Sequence, residues 1–172
     1  PQRSPRTSML EVPGAPALVS EWQDVPHGTL HIHSYRSKVT GAVRRVHVYT
    51  PPGYDRARAP LPVLYLLHGS GDNDAAWSAH GRAHLVADNL LAQGKAKPMV
   101  IVMTDGHPVP PSPVPPAPGK DNLSVYIDDL VGDVVPLVEA SYRVRRDAGS
   151  RAIVGLSMGG AQALTAGLTR PE

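Results

Sequence analysis

From Gly28 to Arg36 apolar and polar positions alternate, with Leu30 and Ile32 set against His31, His33 and Tyr35, and the same period of two returns at Val46-His47-Val48-Tyr49. This pattern predicts two antiparallel strands, each with one buried face. Pro51-Pro52-Gly53-Tyr54 then reads as a turn. Beyond it the pattern changes. Val63-Leu64-Tyr65-Leu66-Leu67 is an unbroken apolar run, as expected of a strand covered on both faces in a parallel sheet, and Met99-Val100-Ile101-Val102-Met103 and Ala152-Ile153-Val154 repeat it. Between these runs lie two helical stretches. One is centred on Leu85, Val86, Leu90 and Leu91 and ends at Gly94. The other runs from about 122 to 142, with Ile127, Leu130, Val131, Val134, Val135 and Val138 spaced as one helix face. Asp121 or Asn122 is its expected N-cap, and Pro136 is expected to kink it. A third helix should start just after Ser157 and turn Ala161, Leu164 and Leu168 to one side. Strands alternating with helices in this order predict an α/β sheet with right-handed crossovers.

Two segments fall outside that pattern. Residues 1–20 are rich in Pro, Ser and Gly without periodicity and read as a tail or interdomain linker, which leaves 21–172 for the folded unit. Between Pro108 and Pro118 there are seven prolines, so that stretch can be neither helix nor central strand. A linker or a ligand for a proline-reading domain would have this composition too. A rim loop is the preferred reading, because the segment leaves the carboxyl end of a parallel strand, where open α/β sheets place their ligands.

Composition narrows the chemistry. With 41% hydrophobic and 19% charged residues, the 172-residue chain can bury one core and is no disordered polyelectrolyte. The absence of cysteine excludes disulfides, thiol catalysis and cysteine-ligated metal centres. Net charge is 17 − 15 = +2, and only Arg143, Arg145 and Arg146 approach a basic cluster, so no nucleic-acid partner is expected. No apolar run approaches the roughly 18 residues of a membrane span, so no membrane partner is expected either.

The sharpest candidate for chemistry is Gly155-Leu156-Ser157-Met158-Gly159-Gly160, a GxSxG pattern after an apolar strand and before a helix. Alone such a match often marks only a tight turn. In this context Ser157 should project its hydroxyl from the sheet as a nucleophile, with the Met158 N–H at the helix N-terminus suited to a developing oxyanion. A second loop, His68-Gly69-Ser70-Gly71, also follows a buried strand and could supply the other donor from the N–H of Ser70 or Gly69. His68 is read as a prop for that loop, since a general base would have to reach the nucleophile. His31 with His33, and His80 with His84, have metal-ligand spacing but no obvious third ligand. Solvated strand and helix faces are the preferred reading, with no metal expected. Asp128 and Asp129 are likewise read as a solvated face or as charges answering a helix dipole.

These segments, with Val25-Pro26-His27-Gly28-Thr29, Tyr49 through Tyr54, Asp72 and Trp77, Gly94 through Met99, and Asp129 through Pro136, together resemble the α/β-hydrolase superfamily. The likeness is closest to its putative-esterase branch, which holds feruloyl and acetylxylan esterases of carbohydrate esterase family 1 and enterochelin-esterase-like proteins. The resemblance implies a mostly parallel α/β-hydrolase sheet with antiparallel N-terminal strands. It also implies a serine carboxylester hydrolase acting through an acyl-enzyme on feruloyl or acetyl esters of plant polysaccharide. Ser157 would be the nucleophile, the N–H groups of Ser70 and Met158 the oxyanion hole, and Gly69 and Trp77 substrate contacts. No cofactor is implied, and a secreted or periplasmic location is. Such enzymes place an acid and then a histidine after the nucleophile. Here the 172 − 157 = 15 residues after Ser157 hold no Asp, no His and only Glu172 as an acid, while all 8 histidines lie upstream. The expectation is therefore that the C-terminal strands, acid and base come from the rest of the protein or from another chain. Otherwise the strand at 151–155 would be left as an apolar edge. A noncatalytic carbohydrate-binding or scaffold chain, or an acyltransferase using the same site, would share this sequence pattern.

Overall fold

The computed structural model describes residue 10, residues 12–108 and residues 121–171. Most of the proline-rich segment and the first part of the predicted tail lie outside the described residues. In the described part, β1 (Thr29–Arg36), β2 (Val43–Thr50), β3 (Val63–Leu67), β4 (Val100–Thr104) and β5 (Arg151–Gly155) form one sheet in the order β1-β2-β4-β3-β5. The first two junctions are antiparallel, with Leu30 opposite Tyr49 and Val48 opposite Val102. The last two are parallel, with Tyr65 beside both Val102 and Ile153. The change of direction follows the change of pattern. The alternating strands lie at one side of the sheet, and β4, the unbroken run at its centre, is buried along its whole length.

Helices cover both faces. On one, Val46, Val48, Tyr65, Leu67, Val100 and Val102 pack under α3 (Asn122–Asp129), α4 (Val135–Ser141) and α5 (Met158–Thr169). On the other, Tyr49, Ile101 and Met103 pack with Leu64, Leu66 and Trp77 beneath the short α1 (Ala76–Ala79) and α2 (Ala83–Ala92). Asp121 caps α3, its Oδ1 accepting from the Ser124 N–H at 2.7 Å. Leu130–Val134 between α3 and α4 winds as a π-helical turn, and the Val135 N–H donates to the Leu130 carbonyl five residues back. The wider turn accommodates Pro136, which has no N–H to donate and whose ring would otherwise press on the carbonyl four residues earlier.

Three expectations drawn from the pattern are corrected. The buried side of β1 is the imidazole side: His31, His33 and Tyr35 are half-buried while Ile32 is exposed, because β1 is an edge strand whose inward face meets Tyr142 and Asp129. On α5 the helix face seated on the sheet is Gly159, Gln162, Ala163 and Ala166, where the glycine and the two alanines allow close approach to β3, and Leu164 and Leu168 point outward at 65% and 76% exposure. The third concerns Asp129, which is fully buried rather than solvated; only Asp128 stays at the surface, facing Arg170. Among the described residues β5 pairs on one side only, with β3. In urea unfolding, Met103→Ala should cost about 2–5 kcal/mol, as for a fully packed methionine. Leu164→Ala should stay within about 0.5 kcal/mol, and an equal loss in both would contradict this assignment of faces.

Candidate active site

Ser157 sits where β5 stops and α5 begins, with φ 53° and ψ −114°. A non-glycine residue gains nothing from positive φ, so surrounding contacts must impose it. They are visible at the flanking glycines. A Cβ on Gly155 would overlap the Gly159 carbonyl, and one on Gly159 would lie 2.6 Å from the His68 carbonyl oxygen and 2.8 Å from the Leu67 Cβ. The Leu156 N–H donates to the Leu67 carbonyl at 3.1 Å, and the Gly159 N–H to the Leu156 carbonyl at 2.8 Å. The chain thus has room to turn only as a tight elbow against the end of β3. Ser157 is left exposed at its tip, and Met158 heads α5, where helix geometry gives its N–H no intrahelical acceptor.

The glycine loop after β3 runs beside that tip. A Cβ on Gly69 would stand 3.7 Å from the Ser157 Cβ, ordinary contact distance. Gly71 takes φ 89°, which a side chain would resist, and the Asp72 N–H closes the turn on the Gly69 carbonyl at 3.3 Å. Ser70 is exposed in this turn. His68 is buried beneath it. Its Nδ1 donates to the Gly69 carbonyl at 2.7 Å and its Nε2 accepts from the Gly106 N–H at 2.8 Å, a pair of bonds that one neutral tautomer satisfies. Burial lowers the pKa of His68, while Asp105, with Oδ1 3.5 Å from Nε2, and the Gly69 carbonyl raise it, for a net upward shift. The Gly106 N–H aimed at Nε2 fits only the neutral ring. Among the described residues no carboxylate or imidazole hydrogen-bonds the Ser157 hydroxyl.

Farther along the same loop, Asp74 anchors it to β2. Its carboxylate accepts from the Arg45 Nε at 3.1 Å and faces the His47 Nε2 at 3.1 Å. Burial would raise its pKa, but His47 and Arg45 outweigh burial and hold it at about 2. Trp77, on α1, lines an apolar cavity of about 310 Å³ with Leu64, Leu66, Val86 and Leu90. Neither Ser157 nor Gly69 lines that cavity, so the structure does not bring Trp77 and the elbow into one pocket. The histidine pairs are corrected as well. His33 is tied by Nε2 to the Tyr142 hydroxyl at 2.5 Å and His31 by Nε2 to the Thr50 hydroxyl at 3.1 Å, and burial, then the neighbouring His31, lowers the pKa of His33. His80 and His84 are half-buried, and burial lowers the pKa of His84. Among the described residues no three His, Asp or Glu side chains gather as a metal site would need.

What reasoning from sequence missed is the ion pair of Arg44 and Asp129, 3.1 Å apart and both buried, with the Tyr35 hydroxyl donating to the same carboxylate at 2.7 Å. The signal was present. Stepping back by two from Val48 and Val46 puts Arg44 on the buried face of β2.

The family described as Putative esterase matches residues 37–172. An endo-1,4-beta-xylanase/feruloyl esterase of Xylanibacter ruminicola is 34% identical over 156 residues, 87% of this chain and 21% of that protein. An esterase of Mycobacterium tuberculosis is 31% identical over 139 residues, 78% of this chain and 28% of its own length. The solved CE1 ferulic acid esterase of Anaeromyces mucronatus, in complex with ferulic acid, superposes with a TM-score of 0.74 at 29% identity, covering 87% of this chain and 56% of that one. The chain therefore spans about a fifth of the first relative and little more than half of the solved one.

Two outcomes test the site's construction. Gly159→Ala should lower stability by roughly 1–3 kcal/mol in urea titration, because its methyl group meets backbone rather than a movable side chain. The stability lent by the Asp74 charge should be complete above an unfolded carboxyl pKa of about 3.9 and should fade as pH falls toward 2. The gap in unfolding free energy between the native protein and Asp74→Asn should therefore narrow across that window. A gap that does not change with pH would contradict it.

Proposed function

The chain belongs to the Putative esterase family of the α/β-hydrolase superfamily, carboxylic ester hydrolases by family, and on that premise we propose that it carries the nucleophile of a serine esterase working through an acyl-enzyme. The Ser157 oxygen attacks the ester carbonyl carbon, and its proton passes to a base. The carbonyl oxygen becomes an oxyanion held by the N–H groups of Met158 and Ser70. Collapse expels the alcohol, which takes up that proton and leaves an acyl group on Ser157. Water, activated by the same base, then releases the acid and restores the hydroxyl.

The acid and base are contributed by a segment outside these 172 residues, from the rest of the protein or from another chain. The observation that most supports the nucleophile is the positive φ of Ser157, a strained conformation held by contacts on both sides of an exposed hydroxyl. For the substrate we propose feruloyl or acetyl esters linked to plant polysaccharide. The similarity to the xylanase/feruloyl esterase of Xylanibacter ruminicola and the ferulic acid bound to the Anaeromyces enzyme support the feruloyl choice. Gly69 lines the acyl path beside Ser157, and a secreted or periplasmic location suits such a substrate.

Hydrolysis of methyl ferulate by the protein as its host produces it should fall at least about a thousandfold in kcat in Ser157→Ala. Turnover retained in that variant would overturn the assignment.

A further inference from the structure

We propose that Arg44, which does not touch Ser157, is a positioning residue for the glycine loop beside it, acting through the β4 exit loop and His68; this rests on reading Gly69–Gly71 as the oxyanion loop. The connection is continuous. Asp129 accepts from the Arg44 Nε at 3.1 Å, which fixes one edge of the guanidinium. The other edge donates to two carbonyls just past the end of β4: Nη2 to that of Asp105 at 2.5 Å and Nη1 to that of His107 at 3.2 Å. Between those two residues Gly106 gives its N–H to the His68 Nε2 at 2.8 Å, and its carbonyl accepts from the Gln162 Nε2 at 2.9 Å. His68 in turn donates to the Gly69 carbonyl, and the Gly71 N–H donates to the His107 Nε2 at 3.2 Å. The loops after β3 and β4 are thereby clipped together at two points. Both clips hang from residues whose carbonyls Arg44 holds or flanks.

Three features favour a positioning role over a purely structural one. A buried ion pair adds little net stability over apolar packing of the same volume, so stability alone does not account for a charge pair in this core. The planar guanidinium reaches a carboxylate on one side and two carbonyls on the other, which an ammonium group cannot do at once. Gly106 is also tightly enclosed, since a Cβ there would lie 2.9 Å from both the Met158 Cε and the Gln162 Oε1, so a shift of this loop would press on the first residue of α5 as well as on His68.

The test compares the purified protein with Arg44→Lys, which keeps a charge beside Asp129, and with Gln162→Leu, which loosens the same loop from the α5 side. Arg44→Met would strand the Asp129 charge and is not relied on. In the native protein at pH 8 the 15N shifts of the His68 ring should report a single tautomer protonated at Nδ1. In Arg44→Lys the Gly106 and Gly71 amides should exchange at least about tenfold faster, and the His68 ring should move toward mixed tautomers, while the β2–β4 amides around Val46 and Val48 stay within about twofold. Gln162→Leu should give the same pattern more weakly. Unchanged exchange at Gly106 and Gly71 in Arg44→Lys, or exchange that rises equally throughout the sheet, would overturn the proposal. A native protein whose Ser157 proves unreactive would instead remove the nucleophile reading and leave this measurement to stand on its own.

Discussion

The crossing of backbone over backbone at Gly155 and Gly159 is the constraint on which the rest depends. Neither position has space for a methyl group, because each faces main-chain atoms of the other or of Leu67 and His68. A strand and a helix that meet this closely must turn within a single residue, and Ser157 takes the positive φ that the turn demands. The strain is held by the parallel pairing of β5 with β3 and by the small residues of α5 against the sheet. Fold and site are in this sense one structure. The same packing that buries Ala163 and Ala166 puts a hydroxyl, a helix N-terminus and a glycine loop within reach of one another.

Much of this was legible in the sequence because it depends on short-range patterns. β3 falls on the predicted run residue for residue, and α2 ends at Ala92, two residues before the expected Gly94, whose φ is 68°. The strand, GxSxG and helix succession could be read from order alone. The misreadings share a physical cause, which is that hydropathy does not report what a neighbouring element offers. His31 and His33 face inward because Tyr142 and Thr50 supply hydrogen bonds there, and Asp129 is buried because Arg44 meets it from 85 positions away. Leu164 and Leu168 look like a core stripe, but close approach to β3 selects the small-residue face of α5 instead.

The polar groups buried around the site form a graded support. Asp74 fixes the far end of the glycine loop to β2, His68 fixes its near end to the β4 exit, and the Arg44–Asp129 pair ties that exit to α3. The His68 and Arg44 links satisfy main-chain groups that leave a strand end with no ladder partner, whereas the Asp74 link joins side chain to side chain. Loops that carry chemistry must leave the sheet, and here hydrogen bonds from buried side chains replace the ladder they have left.

We propose that this support presents one reactive hydroxyl, that of Ser157. The most direct measurement is peptide mapping by mass spectrometry of the protein, as its host produces it, after treatment with a serine-directed fluorophosphonate. A single adduct is expected, on the peptide containing Ser157. An adduct on another serine, or none at all, would contradict it.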